Sequence, residues 1–209
     1  MVDLSKPLAI ERAQVGRQMH FPTIELPMVS VISSQTQADY PCEGTIELNP
    51  SSYYSVEMAK RKRLNVKFQL SLNEATGPFF LLPLKSKRKS MAFVLSFQEN
   101  HIFMELRGSE GELKARQTSK LQNYKEWISM ELHFTTPDII LDIEGRQTTL
   151  NLPKKVRTED NLNFGALPSP WKYVLPSQSD SLCLKRLRIN GAFQDLGNAV
   201  GIRHCRASC

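Results

Sequence analysis

Leu64-Asn-Val-Lys-Phe-Gln-Leu-Ser-Leu72 alternates apolar and polar residues along its whole length. Leu64, Val66, Phe68, Leu70 and Leu72 fall on one side, and Asn65, Lys67, Gln69 and Ser71 on the other. Successive side chains of an extended chain point to opposite faces, so a period of two predicts a strand with one face in a core and one in water. The same period returns downstream. Phe93, Leu95 and Phe97 lead through Glu99-Asn-His101 to Ile102, Met104 and Leu106. The turn Gly108-Ser-Glu-Gly111 leads to Leu113 and Ala115, the next predicted inward pair, and Ile128, Met130, Leu132 and Phe134 follow. Thr136-Pro-Asp138 opens onto Ile139, Leu141 and Ile143, and Glu144-Gly145 turns the chain toward Leu150. Gly77-Pro78 breaks the first run before a short apolar strand at Phe79 to Leu84, after which Lys85 to Lys89 reads as a loop. Many short strands, polar turns and hardly a helical stripe predict an all-β fold, two antiparallel sheets packed as a jelly-roll-like sandwich. Thr118 to Tyr124 is the expected irregular turn and Asp195 to Val200 the expected short helix.

The ends of the chain read differently. Pro7, Pro22, Pro27 and Pro41 punctuate a stretch of weak periodicity, so residues 1–41 are expected to be an extension or linker and residues 42–209 the domain. At the other end, Ser181-Leu-Cys-Leu-Lys-Arg-Leu-Arg-Ile-Asn-Gly-Ala-Phe predicts a strand, an Asn-Gly turn and a return. The chain has 209 residues, 41% hydrophobic and 23% charged, an ordinary globular composition. No run approaches the roughly 18 apolar residues of a membrane span, and Met1-Val-Asp-Leu-Ser-Lys-Pro7 lacks the apolar segment of a signal peptide. If the protein is secreted, this chain is expected to be an excised portion of it.

Four cysteines, Cys42, Cys183, Cys205 and Cys209, allow three pairings. Cys205 and Cys209 lie in the tail, where a thiol has little core to hide in, so pairing back toward Cys183 and Cys42 is the better account. His204 beside Cys205 brings zinc to mind, but no Cys-x-x-Cys pair or second His completes a tetrahedral set.

The formal charge is +6, and the cations are clustered. Lys60, Arg61, Lys62 and Arg63 form one group, and Lys85, Lys87, Arg88 and Lys89 another; Lys154, Lys155 and Arg157, then Lys185, Arg186 and Arg188, come next. Such groups attract polyanions by a field that salt screens. The first two are the expected polyanion contacts, with a sulfated glycan as the ligand and no specific nucleic acid. By the bland alternative, each is a solvated loop end. Lys60 to Arg63 also has the composition of a nuclear-import or processing signal.

No Gly-x-Ser-x-Gly, Gly-x-Gly-x-x-Gly, phosphate-binding loop or His-Glu-x-x-His occurs. His20, His101, His133 and His204 are dispersed, and His133 falls on the polar side of its strand. A catalytic role is therefore not expected, although carboxylates such as Glu110 and Asp142 could still meet in space.

Taken in order, several segments resemble the laminin G-like family. They are Ser52-Tyr-Tyr54, Arg63 to Leu70, Gly77-Pro-Phe-Phe-Leu-Leu82, Trp127-Ile-Ser-Met-Glu-Leu132, Leu141-Asp-Ile-Glu-Gly145, Asn163-Phe-Gly-Ala-Leu-Pro168 and Cys183 to Cys209. The likeness covers roughly Gly44 to Cys209 and is greatest to the second such domain of the sex hormone-binding globulin and protein S group, then to laminin α-chain modules. Ile128, where the family commonly has His, and Leu182, where it has Gly, depart from the pattern. The resemblance implies a β-sandwich closed by a disulfide between Cys183 and Cys209, or alternatively Cys183 and Cys205, with Cys42 able to reach Cys205. It implies a rim calcium site whose positions fall at Glu110 and Asn151, although no cofactor is required. It also implies a non-catalytic extracellular module that binds a protein receptor, a matrix component or a sulfated glycan. Two other readings are kept: a carrier of a steroid-like ligand between the sheets, near Phe68, Phe80, Met104 and Met130, and an intracellular sandwich with reduced thiols. The oligomeric state is left open.

Peptide mass mapping without reduction is expected to recover the Cys183 peptide covalently linked to a tail or Cys42 peptide. Four free thiols would remove the extracellular reading.

Overall fold

A computed structural model describes residues 45–198 except 59, 73–74, 88, 123–126 and 154. The expected extension at 1–41, together with Cys42, Cys205 and Cys209, lies outside the described residues. The first sheet runs in the order β1 (Thr45–Leu48), β13 (Leu182–Ile189), β3 (Arg63–Ser71), β8 (Ile128–Thr135), β9 (Asp138–Ile143) and β10 (Arg146–Asn151), with β14 (Ala192–Phe193) beside β13. The second runs β2 (Tyr53–Glu57), β12 (Asn161–Gly165), β4 (Gly77–Ser86), β5 (Lys89–Gln98), β6 (His101–Gly108) and β7 (Leu113–Lys120), with β11 (Val156–Thr158) beside β4. Every pairing among these strands is antiparallel. The fold is thus the all-β, two-sheet sandwich expected from the alternation.

The core lies between the sheets because each strand's period of two places one row of apolar side chains there. Val66, Phe68 and Leu70 of β3 stand opposite Leu132, Met130 and Ile128 of β8. All six are buried. From the other sheet Phe80 and Phe164 reach Phe68, with ring centres 6.1 Å and 5.0 Å away, and meet each other at 5.1 Å. Phe93 adds an edge contact to Phe80 at 6.2 Å. Edge-to-face and stacked rings at these separations add to the stabilisation from area burial alone. Phe68, Phe80, Met104 and Met130, the residues expected near a carrier pocket, are each 0% exposed and belong to this packed core.

Hairpins join β4 to β5, β5 to β6, β6 to β7, β8 to β9, β9 to β10 and β13 to β14. Glu144-Gly145 and Asn190-Gly191 both have positive φ at two successive residues, as does Glu99-Asn100. That backbone suits the right-handed twist of the strands they join. Leu196–Asn198 forms a short 3-10 turn inside the segment expected to be helical.

Three expectations are corrected. Lys85 to Lys89 is not a loop: Lys85 lies in β4, which runs to Ser86, and Lys89 opens β5 opposite Ser86. Thr118 to Lys120 belongs to β7 rather than to an irregular turn. Leu113 does not point inward and is 46% exposed. The register shifts between Leu106 and Arg107, so Ala115 stands opposite inward Leu106 while Leu113 stands opposite outward Arg107. A bulge adds one residue to one strand and thereby reverses the face of everything beyond it.

Phe80→Ala is expected to lower unfolding stability by ~3–5 kcal/mol. Leu113→Ala is expected to change it by less than about 0.5 kcal/mol. Urea titration checks both, and equal losses would contradict the outward placement of Leu113.

Candidate functional site

Lys60, Arg61 and Lys62 occupy the connection from β2 to β3, and Arg63 opens β3; all four are exposed. Arg63 thus belongs to the first sheet, whereas Lys85, Lys87 and Lys89 sit at the β4–β5 hairpin of the second. What joins them is β11, a three-residue strand that the sequence pattern does not single out. Opposite β4 it pairs Val156 with Ser86, Arg157 with Lys85 and Thr158 with Leu84. On its other side the Arg61 N–H donates to Thr158 Oγ1 at 2.9 Å, and the Thr158 N–H donates to the Arg61 carbonyl at 3.0 Å. Thr136 Oγ1 donates to the Val156 carbonyl at 2.7 Å, and the Thr136 N–H faces the Lys62 carbonyl at 3.5 Å.

These bonds gather three basic segments, 60–63, 85–89 and 155–157, along one edge. Val156 and Thr158 are buried while Lys155 and Arg157 are exposed, so β11 turns its cations outward by simple alternation. Arg157 and Lys85 are direct cross-strand partners and share a face, which is unfavourable for like charges. Lys85 Nζ relieves this through an ion pair with Glu159 Oε1 at 2.7 Å. Among the described residues, Lys60, Arg61, Lys62, Arg63, Lys87, Lys89, Lys155 and Arg157 have no carboxylate partner. The result is a positive edge bounded by Glu159 and Asp160. Arg88 and Lys154 lie outside the described residues.

The other expected positions are not brought to this edge. Lys185 lies over the Trp127 ring at 3.8 Å, and burial, then the Arg186 charge, lowers its amine from the usual range. Arg188 covers Phe193 at 3.9 Å, so part of this fourth cluster is spent on rings. Glu110 sits in the β6–β7 turn, its N–H donating to Glu112 Oε2 at 3.2 Å. Asn151 ends β10 and donates from Nδ2 to Asp138 Oδ1 at 2.7 Å. Calcium takes six to eight oxygens, and among the described residues no three His, Cys, Asp or Glu side chains converge. Glu110 and Asn151 on their own do not fill such a shell. Asp142 caps a turn instead, accepting from the Gly145 N–H at 2.8 Å. His101 Nδ1 contacts the Glu99 carbonyl at 2.7 Å. His133 lies 3.3 Å from Glu131, whose carboxyl is held below the usual range first by the Asn65 hydrogen bond and further by the Lys67 and His133 charges. Cys183 is buried on β13 and is not a free thiol. Its three candidate partners lie outside the described residues.

The outer face of the second sheet holds a feature that the sequence did not reveal. Ser55, Asn163, Leu81, Val94, Glu105 and Arg116 form one row across five pairings. Trp171 and Leu175 cover its apolar middle, packing on Leu81, Ala92 and Val94. Their segment is a strap pinned where the chain approaches closely: a Cβ on Gly111 would stand 2.5 Å from the Val174 carbonyl, and one on Gly77 would stand 2.8 Å from that of Ser177. Beside the strap lies a groove of about 1120 Å³, floored by β2, β12 and β4 and reached by Lys60. Beyond it, Glu105 is buried between Arg107 and Arg116, bonded at 2.7 Å and 2.8 Å, which anchors the far end of the row. The one hint in the sequence was Pro168-Ser-Pro-Trp171, a stretch with neither alternation nor a helical stripe.

Neither a protein-family model nor a curated protein matches the chain. Solved structures do. The mouse laminin α1 chain, domains LG4-5, is similar with a TM-score of 0.60 and 15% identity, over 81% of this chain and 48% of that one. The LG1-3 region of the laminin α2 chain is similar with a TM-score of 0.51 and 16% identity, over 77% and 34%. A heptameric SAP-like pentraxin from Limulus polyphemus reaches a TM-score of 0.50 at 9% identity, over 75% and 80%. The chain thus spans about half, or a third, of the laminin structures it matches. At these identities the likeness is one of fold, and the chain has a laminin G-like β-sandwich.

Proposed function

We propose that this protein is a non-catalytic, extracellular recognition module whose basic edge holds a sulfated glycan of a matrix component or receptor. The observation that carries this reading is β11, which draws three separate cationic segments into one surface. Eight cations without carboxylate partners would cost self-repulsion if they served only solubility. A polyanion relieves that repulsion. Arginines add forked donors suited to sulfate oxygens, and lysines add point charges. The contact is ionic and made by side chains, so it needs no metal. The space between the sheets is filled by the rings of Phe68, Phe80 and Phe164, which leaves the carrier reading without a supporting observation. No described helix is long and apolar enough to cross a membrane. For the closing disulfide we propose Cys183 with Cys209, the buried position of Cys183 at the start of β13 being its support.

On a heparin column, reversing Lys60, Arg61, Lys62 and Arg63 to Glu is expected to move elution to much lower salt. Each ionic contact removed should flatten the logarithmic salt dependence of affinity by about one unit. Glu159→Gln, which releases Lys85, is expected to move elution the other way. Unchanged retention in the fourfold variant would dismiss the edge as the contact surface.

A further inference from the structure

The groove beside the strap has a chemistry unlike that of the basic edge. Its ionisable carboxylates and ammonium groups are Glu57 and Asp160 against Lys60 and Lys172, two of each sign, so it offers no net field to a polyanion. Its lining instead combines ring faces with groups that both donate and accept hydrogen bonds. Tyr53 is 37% exposed and Tyr173 75% exposed, and both face the groove. Lys172 Nζ sits 4.8 Å from the Tyr173 ring centre. Asn161 and Asn163 supply amides, while Asp160 supplies an acceptor.

The wall of the groove is braced from within. Gln178 lines the groove and is only 5% exposed, and its Nε2 donates to the carbonyls of Leu48 and Asp180. These bonds fix the amide in the wall of the groove. The walls are also fixed in advance. The N–H groups of Lys172, Tyr173, Val174 and Leu175 all close turns within the strap at 3.0–3.1 Å, and Ser179 ties it to Thr76 through bonds of 2.8 Å and 2.9 Å. A groove that does not have to order itself binds with less entropic cost.

Hexose rings have an apolar C–H face for an aromatic ring and a rim of hydroxyls that donate and accept. We propose that this groove is a binding site for an uncharged hexose oligosaccharide, with Tyr53 and Tyr173 as stacking faces and Asn161 and Asn163 as hydrogen-bonding partners. The volume of about 1120 Å³ lies above the roughly 300–1,000 Å³ of small-molecule pockets and so suits a chain of rings rather than one. Lys60 reaches both surfaces, but the contacts proposed for the groove are made by uncharged side chains.

Calorimetric titration of the full chain with neutral glucose, mannose and galactose hexaoses, in α and β linkage, tests this. At least one is expected to bind with an affinity that does not change between low and high salt. Tyr173→Ala and Asn161→Ala, both at exposed positions, are each expected to weaken it about tenfold. Charge reversal at Arg61, Lys62 and Arg63, which do not line the groove, is expected to leave it unchanged, even where heparin retention falls. Absence of binding by every hexaose at millimolar concentration, or equal binding by both variants and the unaltered chain, would overturn the proposal.

Discussion

The contact of Phe68 with Phe80 and Phe164 is the constraint on which the molecule depends. Phe68 belongs to the first sheet, and the other two rings belong to the second. Two sheets that each hide one apolar face must share a single dry layer, and these rings fill its centre at separations of 5.0 to 6.1 Å. Once the inner rows are committed to that layer, alternation leaves the outer rows no choice. Lys67, Glu131 and Asn65 turn to water on one sheet, and Ser55, Asn161 and Arg107 turn outward on the other. Both candidate surfaces are by-products of this packing.

The outer surfaces are then shaped by short, irregular pieces rather than by the sheets. β11 contributes three residues, yet its bonds to Arg61 on one side and its pairing with β4 on the other make one positive edge from segments that would otherwise be apart. The strap does the converse on the broad face. It hides Leu81 and Val94 under Trp171 and Leu175 and leaves a neutral groove beside itself. Charge is thereby sorted between two places: the edge collects cations, and the groove balances them. Lys60 belongs to both.

The alternation of Leu64 to Leu72 was legible because a strand's two faces are set by neighbouring residues alone. So were the turns at Glu144-Gly145 and Asn190-Gly191, where residue type and positive φ go together. Leu113 was misplaced because its face depends on a register shift against β6, a property of the pair rather than of either strand. Lys85 to Lys89 looked like a loop because five polar residues carry no inward signal, while their pairing with each other extends the hairpin almost to its tip. Val156-Arg-Thr158 was passed over for a similar reason. Three residues are too few to display a period, and only their partners make them a strand.

The sequence by itself determined the class of the fold and the sign of the exposed charge, because side-chain alternation and formal charge are local properties of the chain. Tertiary structure alone decided which cations act together and where a neutral groove opens. Arg61 and Thr158 are 97 residues apart in the chain, and their bond decides that two basic segments form one surface. Trp171 covers Leu81 because a strap crosses the sheet, pinned at Gly77 and Gly111 where a side chain would collide with its carbonyls. Contacts of that range follow from how the strands pair and how closely backbones approach, and neither is written in the pattern of any one segment.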